Sequence, residues 1–128
     1  MNREKLNDIS KQIVDACVCV HKEMGPGLLE SVYEYCLLKE LESRNIYAES
    51  QVSVPLFYKG ELLTKEYRID ILVEKEIILE LKAVDTILPV HEAQLISYLK
   101  LADKRLGFLL NFNVDLMKNG IRRFVNNF

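Results

Sequence analysis

Asp70, Glu80 and Lys82 stand inside the most strand-like stretch of the chain, YRIDILVEKEIILELKAV at 67–84, rather than at its ends. Side chains alternate between the two faces of a strand, so Tyr67, Ile69, Ile71 and Val73 share one face, and Arg68, Asp70 and Leu72 the other. On the returning run, Ile77, Leu79 and Leu81 share a face opposite Ile78, Glu80 and Lys82. A three-residue loop, Glu74 to Glu76, sets Val73 against Ile77, Ile71 against Leu79 and Ile69 against Leu81. A slip of one residue would mix apolar and charged faces, so the pattern selects this register. Asp70 then falls opposite Glu80, and Arg68 opposite Lys82.

Directly opposed residues of an antiparallel pair have Cβ atoms about 5 Å apart, and like charges so placed repel. Two arrangements relieve the repulsion. Lys82 and Arg68 can act as counter-ions in a charged cluster on the open side of the hairpin. Alternatively, a hard divalent cation such as Mg²⁺ binds through one or two carboxylates and keeps several waters. Such an ion lowers the pKa of a bound water and clamps a phosphoryl oxygen. A lysine two residues from a ligand, on the same face, can orient that water or offset charge in the transition state.

The elements that must place these groups are legible along the chain. Leu6, Ile9, Ile13, Cys17, Val20 and Met24 recur at helical spacing, and Gly25 suits the position just past the helix end. A second helix is expected from about Leu28 to Arg44, with Leu29, Val32, Cys36 and Leu41 on its core face. Val52, Val54, Leu56 and Tyr58 alternate as a strand, in which Pro55 marks an edge position or a bulge. Lys59-Gly60-Glu61 is a turn, and the charged hairpin follows from about Leu62 to Ala83. Pro89 precedes a helix from about Val90 to Ala102, with Leu95, Leu99 and Ala102 on one side. GFLLNF (107–112) and IRRFV (121–125) are the last strands. The order is α-α-β-β-β-α-β-β. A strand, a helix of about a dozen residues and an apolar strand form a crossover, so the sheet is mixed and the fold α/β.

The 128 residues are 49% hydrophobic and 28% charged, the balance of one globular domain spanning 1–128. No stretch approaches the roughly 20 apolar residues of a membrane span, and MNREKLNDISKQ lacks a signal-peptide core, so a cytoplasmic location is expected. Cys17, Cys19 and Cys36 contain no CxxC pair and are read as reduced core residues. The net charge of −2 excludes a general basic surface for duplex DNA. Any nucleic-acid contact must come from a local patch, for which Lys100, Lys104, Arg105, Lys118, Arg122 and Arg123 are the candidates; a solvated surface is the alternative.

Asp70, nine intervening residues and Glu80-Leu81-Lys82 in a hairpin between helices resemble the D…(D/E)xK signature of the PD-(D/E)xK phosphodiesterases. Gln94-Leu95-Ile96-Ser97-Tyr98 resembles the QxxxY motif of the RecB-type exonuclease branch. GLLESVY at 27–33 fits the GxxExxY pattern, which names a family of small bacterial and archaeal proteins placed in this superfamily, and the likeness extends through HEAQLISYLK and LGFLLNFNV. The resemblance implies a restriction-endonuclease-like core. It implies that Asp70 and Glu80 are ligands of Mg²⁺ or Mn²⁺, with the Leu81 carbonyl as a further oxygen, and that Lys82 is the catalytic lysine. Glu30 resembles the acidic residue that completes such sites, though with Gly27 as N-cap it would also stabilise a helix start from N3. Gln94 and Tyr98 would position substrate phosphate or the hydrated metal. Tyr33 is expected to pack against the sheet and His91 to cap or pack.

Two departures stand out. Arg68 and Ile69 precede Asp70 where RecB-type enzymes usually carry a glycine, and no C-terminal cysteine cluster is present for an iron–sulfur variant. The function implied is a metal-dependent nuclease on DNA or RNA, or hydrolysis of a small phosphate compound. The alternative is a nuclease-fold binding or assembly module with little catalysis of its own. A homodimer or a larger complex is compatible with either.

Overall fold

A computed structural model describes residues 1–128. Its elements are α1 (Arg3–Met24), α2 (Glu30–Ser43), β1 (Ala48–Tyr58), β2 (Glu61–Val73), β3 (Ile77–Lys82), α3 (Pro89–Leu101), β4 (Leu106–Asn111) and β5 (Ile121–Val125), with a short 3₁₀ turn at Met117–Gly120. This is the expected order apart from the 3₁₀ turn, which no periodicity announces. The five strands form one sheet in the order β1-β2-β3-β4-β5. β3 and β4 run parallel and the other neighbours antiparallel. The crossover through α3 therefore gives the mixed sheet expected of it.

Helices cover both faces. α1 and α2 lay Leu6, Ile13, Leu37 and Leu41 over Ile71, Val73, Leu79 and Phe108 in the larger core, while α3 lays Leu95, Tyr98 and Leu99 over Leu72, Ile78 and Leu109 in the smaller. Covered twice, β3 and β4 bury nearly every residue, which is why IILEL and LGFLLN read as continuous apolar runs. Gly107 lets α3 approach: a Cβ there would stand 3.0 Å from Leu95 Cδ1 and 3.2 Å from Leu99 Cδ2.

α1 ends at Gly25, whose φ of 69° is left-handed and whose N–H donates to the His21 carbonyl. α2 begins two residues later than expected, with Leu29 as N-cap, so Glu30 is the first helical residue rather than the third. Its core face is Tyr33, Leu37 and Leu41, and Leu29 is 73% exposed. Tyr33 packs as expected, its ring stacked on Phe112 at 4.7 Å. Its hydroxyl donates to the Gly25 carbonyl and accepts from the Leu28 N–H, tying the Gly-Pro-Gly loop to α2. Pro55 lies on the edge strand β1, where the register shifts between Pro55 and Phe57, so both of its expected signatures hold. Of the cysteines, Cys17 is buried and Cys36 half-buried, but Cys19 is exposed, with the Arg44 guanidinium 3.3 Å from its Sγ. The two-residue offset from Cys17 carries Cys19 off the core face of α1.

Candidate active site

β2 and β3 pair through Val73–Ile77, Leu72–Ile78 and Ile71–Leu79, and there the ladder stops. Beyond it the strands separate, and side chains replace the main-chain rungs. Glu80 Oε1 accepts the Asp70 N–H at 3.2 Å, and Asp70 Oδ2 accepts the Leu81 N–H at 2.9 Å. The two carboxylates thus meet, as the register from sequence required, inside a V between the strands. The two further rungs expected, Ile69–Leu81 and Arg68–Lys82, do not form.

The reason lies in β1 and β2. Their ladder holds at Ser50–Ile71 and at Val52–Ile69 but skips Gln51 and Asp70 between them. Ile71 faces the α1/α2 core and Ile69, two residues away, the α3 core; Ala48 and Val52 divide the same way. Strict alternation would have kept each pair on one face. Both strands therefore change face at Asp70, a break that residue types alone do not reveal.

Burial dominates the electrostatics. Glu80 is 5% exposed, and loss of solvent, followed by the charge of Asp70, pushes its carboxyl up to about 9. The counter-ion reading fails for Arg68, which turns out to solvent and lies 3.9 Å from Glu66. Lys82 makes no ion pair. Its charge nonetheless lowers both Glu80 and Glu30, so it acts within the site's field. Tyr98 is buried, its ring tilted against Tyr67 at 5.0 Å. Desolvation, then Glu80 and Asp70, pushes its hydroxyl up to about 12.

Glu30 is raised by partial burial and next by the charge of Asp70, so it lies within the field of the carboxylate pair. One turn on, Glu34 is raised by burial and by Asp70 too, and accepts a 2.8 Å hydrogen bond from Gln51 Nε2. Neither Glu34 nor Gln51 was anticipated, although the i, i+4 spacing from Glu30 put Glu34 on the same helix face. Gln94, half-buried one turn before Tyr98, has no hydrogen bond to the carboxylates. Leu81 enters through its N–H. His91 caps α3, its Nδ1 accepting the Leu88 N–H at 3.0 Å.

The basic residues of the C-terminal third do not gather into one patch. Arg122 pairs with Glu92 on the α3 side, whereas Arg123 reaches Asn7 of α1 and stacks over Phe128 on the other. Adjacent strand residues point to opposite faces, so the two arginines cannot share a surface.

No three His, Cys, Asp or Glu side chains converge as a ready-made metal cage. Asp70 and Glu80 each accept one main-chain N–H, and their two carboxyls also share a side-chain hydrogen bond. Two carboxylate oxygens with water completing the shell suit a hard cation such as Mg²⁺. No helix is long and apolar enough to cross a membrane.

No curated protein matches the chain. A solved structure titled "Crystal structure of SSO0001" is similar, at 23% identity and a TM-score of 0.49, over 73% of this chain and 47% of that one. The chain thus spans a little under half of that structure's length. The family model of the PD-(D/E)XK nuclease superfamily matches residues 7–124, which run from the first turns of α1 through α2, the hairpin with its V and the crossover to β4, into β5. Nucleases of this kind generally use divalent metals. The chain belongs to the PD-(D/E)XK nuclease superfamily.

Proposed function

We propose that the chain is a Mg²⁺- or Mn²⁺-dependent phosphodiesterase acting on nucleic acid, DNA ahead of RNA, of the GxxExxY type with RecB-like features in α3. The observation that carries the reading is the pair of carboxylates held together in the V with no ion pair to either. Ionising both there is unfavourable without an added positive charge. Asp70 and Glu80 would hold the ion, and the Leu81 carbonyl is proposed as a third protein oxygen. When bound, the ion supplies an activated water and a clamp on the phosphoryl oxygen.

The chain's own groups do the rest. Lys82, on the α3 side with Glu80, orients the attacking water and offsets charge that develops on phosphorus. Glu30, within the field of Asp70 and Lys82, accepts a hydrogen bond from a water of the site. Gln94 and the Tyr98 hydroxyl, one turn apart on α3, donate to a phosphate oxygen. The Tyr98 hydroxyl stays protonated at neutral pH, which keeps it a donor.

A second reading, assembly into a larger complex or a homodimer, draws on the far end of the β1–β2 arm. There Phe57, Tyr58 and Leu62 are each more than 60% exposed, and the net charge of −2 gives weak grip on nucleic acid alone. The two readings are compatible.

Calorimetric titration of Mn²⁺ into wild type and Glu80→Ala tests the first, followed by cleavage of single- and double-stranded DNA. Binding that requires Glu80, with metal-dependent cleavage lost in Lys82→Ala, is the expected result. Absence of binding by wild type, with and without a short DNA, would leave the assembly reading alone.

A further inference from the structure

We infer that Gln51 is a positioning residue for Asp70: its left-handed backbone, held by the hydrogen bond its side-chain amide donates to Glu34, breaks the β1–β2 ladder and turns the Asp70 carboxylate into the V. This deepens the metal-site reading above and rests on it for its functional consequence, though its geometry stands apart.

Four observations converge. Gln51 has φ of 53°, and it is the only non-glycine residue with positive φ inside a helix or strand. The others, such as Asn45, Lys59, Glu74 and Asp103, stand in turns or loops between elements. Asn, Asp and Gly tolerate this region best, and Gln has no intrinsic preference for it, so the surroundings must hold it there. Second, the missing rung of the β1–β2 ladder falls at Gln51 and Asp70, with register preserved on both sides. Third, both strands exchange faces at that rung, Ala48 against Val52 and Ile71 against Ile69. A residue withdrawn from a ladder in this way re-aims its neighbour, which is what irregular strand positions do beside functional sites.

Fourth, the Gln51 side chain is engaged. Nε2 donates to Glu34 Oε1 at 2.8 Å, so the first turns of α2 hold the irregular residue in place. The consequence is a chain of fixed parts: Glu34 holds Gln51, Gln51 opens the ladder, and Asp70 turns to accept the Leu81 N–H. An unbroken strand would keep the Asp70 N–H and C=O in register with β1 and leave Ile69 on the face of Ile71.

The test separates the backbone from the side chain. Gln51→Gly keeps the left-handed conformation and deletes the amide. Gln51→Val disfavours that conformation through its β-branched side chain. Amide NMR of the metal-free chain follows the Leu81 N–H, with Asp70→Asn as the reference for a perturbed bond, and calorimetry follows Mn²⁺. In Gln51→Val the Leu81 resonance is expected to shift and Mn²⁺ affinity to fall roughly 10- to 100-fold, the scale of a lost supporting contact. In Gln51→Gly the resonance is expected to stay and the affinity to remain within a few-fold. If Gln51→Val does not fold, Gln51→Ala takes its place, with the same direction expected.

Equal effects of Gly and of Val or Ala on the Leu81 resonance, or no effect from either, would overturn the inference. A wild type that takes no Mn²⁺ would sink the metal reading but not this comparison, because the Leu81 resonance needs no metal.

Discussion

The two ends of the β2–β3 pair are built on opposite terms. At the closed end Val73, Ile77, Leu72 and Ile78 meet with main-chain rungs intact and next to no solvent exposure. At the open end, one rung past Ile71–Leu79, two carboxylates stand where carbonyls would, and the strands part. The closed end gains burial and ladder bonds together. The open end gives up rungs and buries a pair of carboxyl groups, which costs stability whenever Glu80 must ionise. Cohesion and chemistry thus sit a few residues apart on the same hairpin, the usual tension between stability and an active site.

The largest effect should come from breaking the closed end. Ile77→Ala removes a fully buried side chain and is expected to cost about 2–5 kcal/mol in a urea melt. Asp70→Asn at the open end should leave stability unchanged or raise it while abolishing Mn²⁺ binding. A large loss in Asp70→Asn would dissolve the contrast.

Next comes pH. Glu80 ionises near 4.5 when unfolded and only at about 9 when folded. The proton it retains therefore stabilises the metal-free fold fully below about pH 4.5, and that stability drains away as pH rises toward 9. Between pH 5 and 8 the loss is expected to reach up to about 4 kcal/mol, the limit for one proton over that range. Glu80→Gln should flatten this part of the profile in thermal melts at the two pH values. A wild-type profile that matches the variant's would show that Glu80 is not buried as described.

A smaller loss is expected at Gly120, where a Cβ would lie 2.0 Å from the Asn111 carbonyl oxygen. Gly120→Ala should cost about 1–3 kcal/mol by chemical denaturation, the range for overpacking. Cys19→Ser, at an exposed position on α1, should shift the melt by no more than about 0.5 kcal/mol.

Much of this contrast is readable in residue order. The parallel crossover follows from a strand, a dozen helical residues and an apolar strand. The meeting of Asp70 with Glu80 follows from matching Ile71 to Leu79, because only one register keeps both apolar faces whole. What escapes is everything that depends on breaking a period. Alternation predicts that Ile69 joins Ile71, and it does not, because the ladder fails at Gln51 and a glutamine carries no signal for left-handed backbone. The start of α2 escapes for a related reason. Gly27 is a natural N-cap, but the Tyr33 hydroxyl occupies the Leu28 N–H and the helix begins after Leu29. Arg68 reads as a counter-ion only while its strand stays in register with β3, and once the strands part it belongs to solvent.

The parallel pairing of β3 with β4 also sets an order of events in time. The β2–β3 hairpin is local and can close within microseconds of leaving the ribosome. β3 meets β4 only after α3 has been made, because the crossover stands between them. Until then Glu80 lacks the cover of Tyr98, remains hydrated and ionises like any exposed glutamate. The nascent hairpin therefore carries Glu80 as an ordinary carboxylate, and the final third of translation turns it into one that holds its proton.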